Sequence, residues 1–99
     1  MLSLAPTQRR FLRTHAHALH PVVMIGNAGL SEAVWKELES SLKSHELIKV
    51  KIASDDKNMR EGVLNEICAK LIAAPVQHIG KILVIYKAAK KPKLALPKT

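Results

Sequence analysis

Pro21-Val22-Val23-Met24-Ile25-Gly26-Asn27-Ala28-Gly29-Leu30-Ser31 passes from an apolar run through two glycines to a helix-capping serine. Val22 to Ile25 is apolar and mostly β-branched, and Pro21 and Gly26 bound it, so it predicts a short strand. Gly26-Asn27-Ala28-Gly29 predicts a loop. Ser31 is suited to cap the helix that follows, which runs to about Ser44. On that helix Val34, Trp35, Leu38 and Leu42 share the buried face. Glu32/Lys36 and Glu39/Lys43 are i,i+4 pairs on the exposed face.

The next strand is Leu47 to Ile52. Ile48, Val50 and Ile52 point one way and Lys49 and Lys51 the other, which gives one buried face and one basic face. Ser54, Asp55 and Asp56 open a third helix, which ends near Ala74. Its apolar face is broad: Val63, Leu64, Ile67, Cys68, Leu71 and Ile72. Val76–Ile79 and Ile82–Tyr86 predict two strands joined by Gly80-Lys81, with glycine where a type II′ hairpin turn needs it. Upstream, a first helix is expected from about Pro6 to Leu19. Leu4, Phe11, Leu12, Ala18 and Leu19 lie on one side, with His15 half-buried near them. Arg9, Arg10, Arg13, His17 and His20 lie on the opposite side.

The order α-β-α-β-α-β-β predicts an α/β two-layer sandwich with a four-stranded mixed sheet, mostly parallel with one antiparallel hairpin strand. Residues 1–87 form one domain and 88–99, rich in lysine, are expected to trail as a flexible basic tail.

The formal net charge is +8, from 16 basic and 8 acidic residues. Its placement is informative. All eight acids lie between Glu32 and Glu66, so the arginines at the start and the seven lysines after Glu66 form two acid-free ends. That distribution points to a polyanion as partner. The two glycines of the Gly26–Gly29 loop allow close backbone approach, and the helix start behind them suits phosphate. No GK[ST] follows, so nucleotide hydrolysis is not expected. The five histidines lack ligand spacing, Cys68 reads as core packing, and Asp55/Asp56 read as helix-start acids, so neither a metal, a cofactor nor an active site is expected. The longest apolar run is far too short for a membrane span. A single cysteine and the absence of a signal-type leader suggest the cytoplasm.

Three stretches carry a resemblance. Pro21 to Leu30, His45-Glu46-Leu47-Ile48-Lys49-Val50-Lys51 and Val76-Gln77-His78-Ile79-Gly80-Lys81 closely resemble the CRM domain, named for chloroplast RNA splicing and ribosome maturation, and more narrowly its bacterial YhbY group. The basic first helix, with Leu12-Arg13 and Ala16 to Leu19, fits it too, so the likeness covers about residues 4–87. The resemblance implies a fold similar to the C-terminal domain of translation initiation factor 3. It also implies RNA binding and association with precursors of the large ribosomal subunit. The family's GxxG loop falls on Gly26, Asn27, Ala28 and Gly29.

The expected mechanism places phosphates on that loop. Arg9, Arg10 and Arg13, with Lys49 and Lys51, grip neighbouring phosphates of structured RNA, and the protein acts as a monomer. The rival reading is a ribosome-docking module that binds mainly through protein contacts. It requires an exposed apolar patch, with Trp35 as the residue to inspect.

Overall fold

The structure is a computed structural model that describes residues 2–98. Seven elements follow one another: α1 (Pro6–Ala16), β1 (Pro21–Ile25), α2 (Glu32–His45), β2 (Leu47–Ile52), α3 (Lys57–Leu71), β3 (Ala74–Ile79) and β4 (Ile82–Tyr86). The caps are those the side chains dictate. Ser31 Oγ accepts from the Val34 amide, and the Asp56 carboxylate accepts from the amides of Asn58 and Met59.

The strands form one sheet in the order β1-β2-β4-β3. β1 and β2 are parallel, whereas β4 is antiparallel to both its neighbours. Three strands thus run one way, as expected, but the reversed strand lies inside the sheet. It converts two of the three ladders to antiparallel pairing. Pro75 is tolerated within β3 because β3 is an edge strand, where a missing amide and a bulge are harmless. In the β3–β4 turn Gly80 has φ +53 and Lys81 is not left-handed, which matches the II′ expectation.

Alternation along the strands divides the core in two. Val23, Ile25, Ile48, Val50, Ile52, Leu83 and Ile85 face α2 and α3 and meet Leu38, Leu42, Leu64 and Ile67. Leu47, Val84 and Tyr86 face the other way, where Leu12 and Ala16 of α1 cover them. The sheet with α2 and α3 is the expected two-layer body. α1 adds a partial third layer, because β2 and β4 carry apolar residues on both faces at one end.

Several local expectations change. α1 stops at Ala16 rather than Leu19: the amides of His17 and Leu19 turn back to the carbonyls of Thr14 and Ala16, and the residue before Pro21 cannot stay helical. His17 and His20 therefore leave the helix, Ala18 is exposed, and His15 is exposed with its ring 4.3 Å from that of Phe11. α3 stops at Leu71, and Ile72 adopts a left-handed conformation (φ +52) that turns its side chain out of the core to 59% exposure.

Residues 88–98 have no regular secondary structure, yet they are packed. Leu94 and Leu96 join the α1 cluster, and Gln8 Nε2 donates to the Pro97 carbonyl at 3.1 Å. The anchor is Glu46, only 1% exposed and itself at φ +61. Its carboxylate accepts from the amides of Ala89 (3.2 Å) and Lys93 (2.6 Å). A buried carboxylate bonded in this way stabilises the segment that satisfies it.

Burial pushes the Cys68 thiol up to about 11 from 9.0. The raised value favours the protonated thiol in the fold. Its contribution to stability is therefore complete below pH 9.0 and lost as pH climbs through about 11. At neutral pH, Cys68 in the native protein should react with a disulfide reagent at roughly a hundredth of the unfolded rate or less. Equal rates before and after addition of denaturant would contradict this packing.

Candidate nucleic-acid interface

The Gly26–Gly29 loop lies at the outer end of β1, where the Ala53 amide bonds to the Ile25 carbonyl. The Gly29 amide returns to the Gly26 carbonyl at 3.0 Å and closes a tight turn. Gly29 has φ +71, a conformation that costs most other residues strain. A Cβ on Gly26 would meet nothing within 4 Å, so its value here is an open approach to the backbone. Gly26, Asn27 and Ala28 are exposed. Among the described residues, the Asn27 and Ala28 amides have no partner in the chain.

Lys49 and Lys51 alternate with Ile48, Val50 and Ile52, which places them on the face of the sheet that α1 partly covers. Lys51 is exposed and Lys49 half-buried. Val22 and Met24 of β1 share that face and are 47% and 58% exposed, so α1 leaves this part of the sheet open.

On α1, Arg10 is exposed, while Arg9 and Arg13 are half-buried along their stems. At 100° per residue they lie roughly 100–160° around the helix from Phe11 and His15. His15 lines a cleft of about 470 Å3 with His45, Leu47 and Lys93, at the end where β2 begins. The arginines thus occupy the other flank of α1, away from that cleft.

α1 packs across β2, β4 and β3, whereas the loop leaves the end of β1, the edge strand on the other side of β2. α1 leads through residues 17–20 into the start of β1, a strand of five residues and roughly 16 Å whose other end carries the loop. Lys49 and Lys51 lie on the open sheet between. The structure therefore spreads the five basic residues and the loop along one face and its rim.

Other groups at the loop end escaped the sequence reading. Lys81, at the hairpin tip, pairs with Asp55 at 2.8 Å, and its ammonium holds the Asp55 carboxyl below its ordinary range. Arg60 donates to the Ser54 carbonyl and to His78, whose other ring nitrogen lies 2.6 Å from Glu61. These pairs occupy cations that a charge count treats as free. Their signal in the sequence is weak, because the partners come from different elements. Among the described residues no group of three or more His, Cys, Asp or Glu could hold a metal ion, and no helix is long and apolar enough to cross a membrane.

Comparison with known proteins bears directly on this arrangement. Residues 4–87 match the CRS1 / YhbY (CRM) domain. The chain belongs to the CRM domain family. A Haemophilus influenzae relative named "RNA-binding protein" is 45% identical over 98 residues, covering 99% of each chain. A Pseudomonas aeruginosa relative is 38% identical over 91 residues, covering 92% of this chain and 88% of its own. The solution structure of a hypothetical protein from Staphylococcus aureus superposes with a TM-score of 0.84 at 29% identity, covering 96% of this chain and all of the other. The helix order and mixed sheet of this CRM domain are therefore a shared fold, and the GxxG loop lies on its exposed rim.

Proposed function

We propose that this CRM protein binds structured RNA through the sugar-phosphate backbone, and that it acts in the cytoplasm, as a monomer, on precursors of the large ribosomal subunit during assembly. The observation that carries the RNA reading is the single open face bearing Lys49, Lys51 and the arginines of α1, rimmed by an exposed glycine loop. With Phe11, Trp35 and Tyr86 all at least half-buried, base stacking is poorly supplied on this face, which favours recognition of shape and backbone. The name of the Haemophilus relative supports RNA as the polyanion. The ribosomal part rests on the family resemblance.

Trp35 offers little to the rival docking reading. It is half-buried against the core, and the Lys70 ammonium lies 4.3 Å over its ring.

The direct test reverses the charge at the loop tip. Asn27→Asp with Ala28→Asp leaves Gly26 and Gly29 in place and should preserve the fold, since both side chains are exposed. Two carboxylates beside a phosphate should weaken binding of a folded ribosomal RNA fragment on the order of 30-fold at 0.1 M salt. Unchanged affinity in a filter-binding titration would remove the loop from the interface. Gradient sedimentation of cell extracts tests the ribosomal assignment, which expects the protein with large-subunit precursors and absent from mature subunits.

A further inference from the structure

Four lysines converge at the end of the molecule remote from the glycine loop. Lys43 and Lys70 come from the last turns of α2 and α3, and Lys87 and Lys90 from the chain after β4. Together they line an open groove of about 580 Å3 whose floor includes Ile72 and Ala88, with Glu39 the one acid in the lining. The helix ends contribute roughly half a negative charge each, and Glu39 one more. With the Glu46 carboxylate behind the wall counted too, the four ammonium groups, of which Lys70 also lies over the Trp35 ring, exceed that total by about one charge, so the groove remains a site for anions. Its wall is fixed, because the Glu46 carboxylate holds the amides of Ala89 and Lys93.

Ile72 adds an independent observation. A β-branched residue at positive φ is a true outlier, and glycine would take that conformation freely. Instead an isoleucine is held there, 59% exposed, on the floor of a cationic groove.

We propose that this groove takes an unpaired nucleotide of RNA, its base on the apolar floor and its phosphates among the four ammonium groups. The inference rests on the RNA-binding reading above and extends it with a second contact, roughly 20 Å from the loop along the strands. The size lies within the range of small-molecule sites. A compact apolar floor ringed by cations matches a base with its flanking phosphates, whereas a run of peptide carboxylates would leave the floor bare.

The test uses the full chain and two fluorescein-labelled RNA hairpins, one blunt and one with a five-nucleotide oligouridine extension. Wild-type protein should bind the extended hairpin about tenfold more tightly, the increment expected of one base set on aliphatic side chains with its phosphates beside cations. Lys43→Gln, Lys87→Gln and Lys90→Gln together should abolish that increment and leave blunt-hairpin affinity unchanged. Ile72→Gly should raise the melting temperature by relieving the backbone, yet lose most of the increment, a combination that a purely structural role would not give.

If the blunt hairpin binds but the extension adds nothing, or adds as much in both variants, the groove proposal is overturned and the main reading stands. If wild-type protein binds neither hairpin, both are overturned. Decaglutamate that displaces the extension as effectively as oligouridine would assign the groove to an acidic protein segment and overturn the nucleotide.

Discussion

Replacing Arg9, Arg10 and Arg13 together with alanine is expected to lower affinity for folded RNA by about 100-fold at 0.1 M salt, from roughly 1 kcal/mol per exposed arginine–phosphate contact. The helix itself should survive. Alanine is the strongest helix former, and the stripe that docks α1 consists of Leu12 and Ala16, which the substitutions leave untouched. The salt dependence is the sharper measurement. Each phosphate released from contact returns a condensed counterion, so log affinity against log salt should lose about 0.7–0.9 of slope per arginine, or roughly 2 to 3 for the three. A loss of affinity at unchanged slope would mean that the variant has lost shape and kept its charge contacts. That result would remove the ridge from the mechanism.

The largest effect on stability is expected at the centre of the core on the α2/α3 side. Ile67 is fully buried between α3 and the sheet, among Leu38, Val50, Leu64 and Leu83. Ile67→Ala removes three carbon atoms from a close-packed site and leaves a cavity, at a cost of about 3–4 kcal/mol. Against a total stability of roughly 5–15 kcal/mol, that should lower Tm by about 12–30 °C. Chemical denaturation should show a lower midpoint at an unchanged slope. A shift of a degree or two would mean that α3 does not pack as described.

The parts of this fold that could be read in the sequence are those fixed by near neighbours. Ser31 and Asp56 cap their helices because a short polar side chain can reach an amide two or three residues on. Lys49 and Lys51 lie opposite Ile48 and Val50 because a strand alternates. The glycine loop was legible for the same reason, as punctuation between two periodic segments. Pairings between distant residues were not legible. Nothing in Ile82–Tyr86 marks it as the strand that separates β3 from β2, and nothing in Glu46 marks a carboxylate that will be buried under backbone amides more than forty residues away. The same holds for the lysine groove, whose cations come from three separate regions of the chain. Charge counting also overstated the free cations, since Lys81 and Arg60 are engaged at the loop end. The exposure of Ile72 was missed because helical periodicity assigns a face only while the helix continues, and it stops one residue earlier.

The position of β4 has a consequence for biosynthesis. It is synthesised after the other six described elements, and it occupies the middle of the sheet. Until it arrives, β2 and β3 share no ladder, and the apolar stripe of α1, translated before it, lacks the Val84 and Tyr86 against which it settles. A nascent chain halted before Ile82 therefore has no partly working form. Such fragments would be recognisable to proteases as unfolded, and only chains read through β4 would present the basic face.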